Sequence, residues 1–524
     1  MSLIGEAVMT ELSALSGVAS DAPAFDPAVA REAPLRMSAD DFRRIGHALV
    51  DDVATFLASL HDGPVTPSEA PDAVQRLIGA ELPLPDEGED PAALLRSTAA
   101  LLFDHSLLNG HPRFFGYITS SPAPIGMLGD LLAAAVNANV GAWRLAPVAT
   151  EIEAQTVRWI ADFLGYPTSC GGLMVSGGNM ANFVGLFAAR AAAAGAAVRT
   201  DGIAALDMPR LRVYASAETH TWIQKAADLS GLGTEAIRWI PTDDHQCMNV
   251  AALREALARD RAAGDRPMMV VGTAGSVSTG AVDPLREIAA VCREQGIWFH
   301  VDGAYGAFAA ALPDASADLA ALALADSVAV DPHKWLYAPL EAGCVLVRDR
   351  EQLRNAFAYH PPYYHFGQEA TNFAEFGPQN SRGFRALKVW LALRQVGRAG
   401  YVRMIGDDVR LSERLHARVT AHDELEAVTQ SLSITTFRYV PAELRTTVGT
   451  VEGEKYLDVL NAALLERIQQ SGEAFVSNAV VRGRYLLRAC IVNINTEARD
   501  VDALPEIVVR LGREAHGALG RTSA

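Results

Sequence analysis

The chain has 524 residues, half of them hydrophobic, and carries 45 basic against 62 acidic side chains for a net charge of −17. That charge argues against nucleic acid or an anionic membrane surface as a partner, since both would repel it. No run of roughly eighteen apolar residues is free of charge, so no membrane span is expected. Five scattered cysteines without CxxC spacing suit a reducing cytoplasm, not a disulfide frame or a zinc site.

In chain order, residues 1–37 are rich in Ala, Pro, Ser and acids without a sustained period, and read as a mostly disordered tail. The first twenty lack the basic region and apolar stretch of a secretory signal. Ser38 is placed to cap a helix in which Phe42, Ile45, Leu49, Val53, Phe56 and Leu60 recur at helical spacing. Prolines then punctuate residues 63–90, which read as a segment wrapping a surface. An amphipathic helical segment over 38–108, ahead of the main domain, suggests packing on a second subunit.

From Asn109 the texture becomes alternating strand and helix. Apolar strands are expected at Leu211–Ala215, Ile237–Ile240, Met268–Gly272, Ile297–Val301, Ser327–Val330 and Gly343–Val347. Helices are expected at Thr221–Leu229, Val250–Ala263 and Leu285–Gln295. This pattern predicts an α/β fold with a mostly parallel sheet covered on both faces. A long helical stretch follows Phe384 to about Ala421. Strands near Ser431–Val440 and Tyr485–Asn495, with helices Glu454–Gln470 and Val501–His516, make a smaller α/β portion. The expected division is a large domain over 109–395 and a small C-terminal domain over 396–524.

Chemistry concentrates at Asp331-Pro-His-Lys-Trp335, which follows the apolar strand Val328–Val330. Only four of the basic residues are lysines, Lys225, Lys334, Lys388 and Lys455. An ε-amine can form a Schiff base where a guanidinium cannot. Lys225, Lys388 and Lys455 lie in helix-like polar patterns that suit surface positions, whereas Lys334 leaves the end of a buried-type strand. Open parallel sheets bind ligands beyond their carboxyl ends. Asp302, Thr273 and His220 are expected at that same edge, each following a strand. Singly, an Asp or His in such a place is usually a turn or cap residue.

Ser176-Gly-Gly-Asn179 precedes a helical pattern. Its glycines let backbone approach a ligand, and the free N–H groups of the helix would favour phosphate. It lacks the lysine of a nucleotide P-loop and the spacing of a dinucleotide fingerprint. An amine, a carboxylate, a ring to stack and a phosphate seat together meet the needs of pyridoxal 5′-phosphate.

These residues resemble the group II pyridoxal-phosphate-dependent amino-acid decarboxylases. The likeness runs from His111-Pro-Arg-Phe-Phe-Gly-Tyr117 and Trp143–Glu153 through Gly177-Gly178, His300-Val-Asp-Gly-Ala-Tyr305 and Asp331–Trp335 to Phe384–Trp390. It implies a fold type I, PLP-dependent transferase-like large domain and a homodimer with the site at the subunit interface. It implies Lys334 as the Schiff-base lysine, Asp302 as partner of the pyridine nitrogen and His220 as the stacking ring. Gly177, Gly178 and Asn179 resemble the phosphate loop, with His333, Thr273 and Ala304 as further cofactor contacts. Many relatives carry Asn or Ser where this chain has Asp331.

Tyr117 and Thr119 or Ser120 resemble the substrate wall, and Ser381 lies where relatives reach the neighbouring subunit's pocket. Residues 355–376 form a long aromatic-rich segment without clear period, read as a lid. Tyr363 there matches the tyrosine that protonates the carbanion left by CO2 loss. The implied reaction is α-decarboxylation of an L-amino acid, an aromatic one first. Glutamate or diaminobutyrate decarboxylation is the runner-up, because Asn137–Gly141 replaces bulkier side chains. Aldehyde synthesis or transamination on the same fold, and a metal hydrolase built on His220, His300, Asp302 and His333, are the readings from other classes.

Overall fold

A computed structural model describes residues 33–360 and 370–522. Its centre is a seven-stranded sheet: β1 (Gly171–Val175), β2 (Leu211–Ser216), β3 (Ile237–Ile240), β4 (Arg266–Thr273), β5 (Trp298–Asp302), β6 (Ser327–Val330) and β7 (Gly343–Val347), in spatial order β1-β7-β6-β5-β4-β2-β3. Only β7 runs against the rest, pairing antiparallel with both β1 and β6. Every residue of β1, β2, β6 and β7 is buried. Runs of Val, Leu, Ile and Ala supply the apolar side chains that a sheet covered on both faces requires.

The connecting helices form close to the expected bounds, at Trp222–Leu229, Val250–Ala262 and Leu285–Gln295. Asn249 caps the second by accepting from the Ala252 N–H, and Gly296, at φ 64°, ends the third in the left-handed region.

Several expectations need correction. Strand β1 was absent from the expected set because Gly171 and Gly172 weaken any strand pattern. Their small size is a packing requirement: a Cβ on Gly172 would stand 2.5 Å from the Val345 carbonyl oxygen. Residues 63–90 contain a short helix, Pro71–Ile78, opened by its proline and closed by Gly79 at φ 61°. Lys388 is not a surface residue; it is buried and its Nζ lies 3.0 Å from Asp130.

The long helix Ala386–Thr420 breaks once, at Gly397 (φ 67°, ψ 168°). A four-stranded antiparallel sheet follows, with β8 (Leu425–Ser431), β9 (Ile434–Tyr439), β10 (Ser477–Val481) and β11 (Arg484–Cys490) in the order β10-β11-β9-β8. The expected single strand near Ser431–Val440 is thus the second arm of a hairpin, turned at Leu432 with φ 50°. Polar Glu426, Thr429 and Gln430 hid its first arm. Helices Val451–Ser471 and Ala498–Thr522 cover this sheet.

The chain divides into two compact units. Of the described residues, one comprises those up to Leu57 together with Leu84–Leu101, and the other Ala58–Pro83 and those from Leu102 onward. Both sheets belong to the second. In the first, Ser38 caps the Ala39–Ser59 helix by accepting from the Asp41 N–H. Of its apolar stripe Ile45 is buried, while Phe42 stays exposed. Among the described residues no helix is long and apolar enough to cross a membrane.

Candidate active site

The parallel strands deliver their polar groups to one edge. Thr273 and Asp302 end β4 and β5 as register partners, and Asp302 in turn pairs with Ala329 of β6, just ahead of Asp331. A cleft of about 310 Å³ opens there, lined by the loop after β1, His220 from the turn after β2, and the Asp331–Lys334 turn after β6. Gly177, Gly178, Asn179, His220, Thr273, Asp302, Ala304, His333 and Lys334 all face it. A larger groove of about 840 Å³ runs beside Ala427–Leu432, and none of these strand-end groups reaches it.

The glycine loop owes its shape to close approach. Gly177 adopts φ 134°, a conformation that L side chains rarely take, and a Cβ on Gly343 would stand 2.5 Å from its backbone. A Cβ on Gly178 would lie 2.8 Å from Asp331 Oδ2 and 3.1 Å from the Ala304 methyl. The helix Gly178–Ala194 begins here without a side-chain cap, leaving its first N–H groups to a ligand in the cleft.

Around this loop the charged groups are specifically held. Lys334 Nζ lies 3.2 Å from Asp331 Oδ2, and His333 Nε2 lies 3.4 Å from the same oxygen. The His333 Nδ1 accepts from the Ala342 N–H at 3.1 Å, so in the neutral ring the proton sits on Nε2. Burial lowers the pKa of His333 and of His220, although Asp331 and Asp302 respectively oppose the shift. Asp302 accepts from the Trp222 indole N–H at 2.7 Å through Oδ2 and from the Ala304 N–H at 3.2 Å through Oδ1.

Two buried polar atoms at the cleft have no hydrogen-bond partner among the described residues, Thr273 Oγ1 and Asp331 Oδ1. Each buried polar atom left so costs roughly 1–3 kcal/mol; the Thr273 hydroxyl can bond a ligand that enters, whereas a carboxylate oxygen offers an anionic ligand no bond. Around them stand an amine, a carboxylate, an imidazole and a phosphate-sized cradle of backbone N–H groups.

Several supporting residues were not singled out from the sequence. Trp222 reads there as a core aromatic, but it fixes Asp302. Asp283 accepts from the Thr273 and Met248 N–H groups at 2.8 and 2.7 Å and, through burial, has its carboxyl pushed up to about 7. Asp408, on the long helix, accepts from Trp335 Nε1 at 2.8 Å and from the Tyr337 hydroxyl at 2.6 Å, so it grips the turn that carries Lys334. Arg488 on β11 is buried with no carboxylate partner among the described residues. Its Nε donates to Ser477 Oγ, which also accepts from the Tyr117 N–H, and its Nη1 donates to the carbonyl of Val277 in the cleft wall. The only sequence signal for Arg488 was a cation inside the apolar run 486–490.

His300, one of the groups considered for a metal, has both ring nitrogens engaged, Nε2 with Asn182 Oδ1 and Nδ1 with Ser327 Oγ, each at 2.7 Å. Burial holds its pKa down to about 4. It ties the helix after the glycine loop to β5 and β6 and has no nitrogen free for an ion.

None of the residues expected to form the substrate wall lines this cleft. Ile118 lines the cleft, whereas Tyr117, Thr119, Ser120 and Ser381 do not. Tyr117, at φ 51°, is half exposed. Ser120 is buried and donates to the His333 carbonyl at 2.7 Å, a structural bond to the Lys334 turn. Ser381 is exposed. Asn139, whose segment was expected to alter the pocket, spends its Oδ1 on the N–H groups of Gly141 and Arg382. Tyr363 lies outside the described residues, as do residues 361–369 at the centre of the expected lid; the lid's first residues instead end the helix Arg350–Phe357, and its last include the short turn of helix Phe373–Glu375.

Comparison with known proteins places this geometry in context. The family model described as the pyridoxal-dependent decarboxylase conserved domain matches residues 71–440. An aromatic-L-amino-acid decarboxylase of Bacillus atrophaeus is 33% identical over 89% of this chain and 94% of its own length. A tyrosine decarboxylase of Oryza sativa subsp. japonica is 34% identical over 90% of this chain and 91% of its own. Among solved structures, that of Oryza sativa TDC with PLP and tryptamine superposes with a TM-score of 0.84 at 29% identity, covering 92% of this chain and 99% of the other.

Proposed function

The chain belongs to the pyridoxal-dependent decarboxylase family and is a pyridoxal-phosphate-dependent carboxy-lyase, and we propose that its substrate is an aromatic L-amino acid, converted to the amine and CO2. The observation that carries the reading is the convergence of Lys334, Asp302 and His220 with the glycine loop in one cleft. The orphaned Thr273 Oγ1 and the loop that admits no Cβ at Gly178 fit a phosphate-bearing ring.

In this reading Lys334 holds the cofactor through its amine. Gly177, Gly178, Asn179 and Thr273 would hold the phosphate, with His333 and Ala304 as further contacts. His220 would stack on the ring and Asp302 would partner its nitrogen. Bound there, the cofactor supplies an electron sink for the pair released when a bond at the substrate's α-carbon breaks.

The chain's own groups prepare that step. Asp302, held by Trp222 and the Ala304 N–H, keeps a proton on the nitrogen opposite it, since a close carboxylate favours the charged form. Burial keeps His220 neutral, so its ring can lie against an electron-poor aromatic without charge repulsion. Arg488 does not line the cleft but, buried without an acid and bonded to the Val277 carbonyl of its wall, would favour the substrate carboxylate on that side. Tyr363 is the proposed donor of the proton that replaces CO2.

An acidic substrate side chain would need a further cation. Among the described residues lining the cleft, Lys334 is the only one besides the histidines, and this favours an aromatic over a glutamate-like side chain. The aromatic naming of the Bacillus and rice relatives supports the same choice.

Assembly as a homodimer is part of the proposal. The helix Pro124–Val136 leaves Leu128, Leu131, Leu132 and Val136 half or more exposed, followed by exposed Leu145 and Val148. So large an apolar face on one surface calls for a partner, and a second copy would also bring Ser381 to the neighbouring cleft. We place a large cofactor domain over 109–395 and a small domain over 396–524, with 38–108 serving the dimer.

The test is a panel of L-amino acids incubated with the holoenzyme and scored for CO2, amine and aldehyde. Aromatic substrates are expected to give amine and CO2 in equal amounts. Preferential turnover of glutamate or diaminobutyrate would reject the substrate assignment, and Tyr363→Phe should retain cofactor while shifting product toward aldehyde.

A further inference from the structure

One residue of the cleft has no part in this scheme. Asp331 is only 3% exposed. Its Oδ2 lies 3.2 Å from Lys334 Nζ and 3.4 Å from His333 Nε2, while Oδ1 is buried with no hydrogen-bond partner among the described residues. The same carboxyl leans on the glycine loop: a Cβ on Gly178 would fall 2.8 Å from Oδ2 and one on Gly177 4.0 Å from Oδ1. An acidic side chain therefore abuts the N–H groups best suited to receive an anion. A neutral Asn or Ser would offer that loop a hydrogen bond without a charge.

We propose that Asp331 is an electrostatic competitor of the cofactor phosphate, an affinity-setting residue that loosens the enzyme's hold on its cofactor. In the free protein the carboxylate partners the Lys334 ammonium and stands beside the phosphate seat. When the phosphate enters, two anions share one water-poor corner, and like charges so placed disfavour each other. Lys334 leaves its acid partner as its amine is engaged, so Asp331 then faces the phosphate with His333 as its remaining polar neighbour. The consequence is a cofactor that exchanges more readily than the number of its contacts suggests.

The inference rests on the assignment of the Ser176–Asn179 loop as the phosphate seat, and its test separates the two. Cofactor-free wild type, Asp331→Asn and Asp331→Ser are titrated with pyridoxal 5′-phosphate and, separately, with pyridoxal, which lacks the phosphate. Dissociation constants come from tryptophan fluorescence and the visible absorbance band. Removing the charge should tighten pyridoxal phosphate binding about tenfold, the equivalent of one pKa unit, and leave pyridoxal within about threefold.

Weaker or unchanged pyridoxal phosphate binding overturns the inference, and so does equal tightening of both ligands, which would place the effect at Lys334 instead. The serine variant, read together with a melting curve, serves if the asparagine variant does not fold. Failure of wild type to form a band that Lys334→Ala abolishes would instead overturn the seat itself, and the inference with it.

Discussion

The two sheets of the second unit treat buried polar groups in opposite ways. In the four-stranded sheet Arg438 has no exposed side-chain surface, yet its guanidinium meets Glu426 at 2.8 Å and Glu454 at 2.6 Å. Asn461 donates to the Tyr439 carbonyl and accepts from its N–H. No buried side-chain atom between Leu425 and Cys490 lacks a partner among the described residues. At the carboxyl edge of the seven-stranded sheet, Thr273 Oγ1 and Asp331 Oδ1 do. Satisfied buried polar groups hold structure together, while unsatisfied ones at a cleft line the place where a ligand arrives. The contrast assigns the cofactor seat to the seven-stranded sheet and, Arg488 apart, stability to the other.

Mutations on either side should separate cleanly. The largest effect is expected for Lys334→Ala, which should abolish the visible absorbance band and lower kcat by roughly 10³-fold or more with little change in melting temperature. Asp302→Asn should keep the cofactor but lower kcat by roughly 10²-fold, because an amide no longer favours a proton on the ring nitrogen. Across the divide, Arg438→Met should destabilise by about 3 kcal/mol by leaving Glu454 without its cation and Glu426 with Arg484 alone, read as a lower denaturation midpoint. The kcat per folded molecule should stay put. A cofactor defect in Arg438→Met would break the contrast. Trp222→Phe is the finer probe: losing one charge-assisted hydrogen bond, about 1.5–3 kcal/mol, should reduce kcat about tenfold or more while the absorbance band persists.

The same contrast explains what the sequence revealed. Lys334, Asp302, His220 and Thr273 were legible because each follows an apolar strand, and strand ends in a parallel sheet converge whatever the loops do. The glycine loop was legible through composition. Trp222, Asp283, Asp408 and Arg488 were not, since they act on another residue across the fold and carry no local pattern. Trp222 and Asp302 are eighty positions apart, and Asp408 is more than seventy from the turn it grips. Strand β1 escaped because a tertiary need for glycine overrode its propensity. Lys388 was misplaced for the converse reason: a polar helical pattern does not reveal that Asp130 comes to meet it.

The smallest effect concerns pH, and the two regions should respond with opposite signs. Burial pushes Asp408 up to about 8 and Asp283 up to about 7, from an ordinary 3.8. Both therefore bind a proton more tightly in the folded protein than in the unfolded chain. Their contribution to stability is fully present below about pH 4 and is lost as pH rises through 7 to 8. Glu454 moves the other way: the Arg438 guanidinium lowers it from 4.5 to about 2, against the opposing effect of burial. Its contribution is present above about pH 4.5 and is lost as pH falls toward 2. Melting temperatures followed across this range should show Asp408→Asn flattening the neutral-to-alkaline decline and Glu454→Gln flattening the acid one, each by a few °C at most. If Asp408→Asn instead flattens the acid limb, the carboxyl is ionised in the fold. The Trp335 and Tyr337 donors would then outweigh its burial, and the grip on the Lys334 turn would be that of a charge.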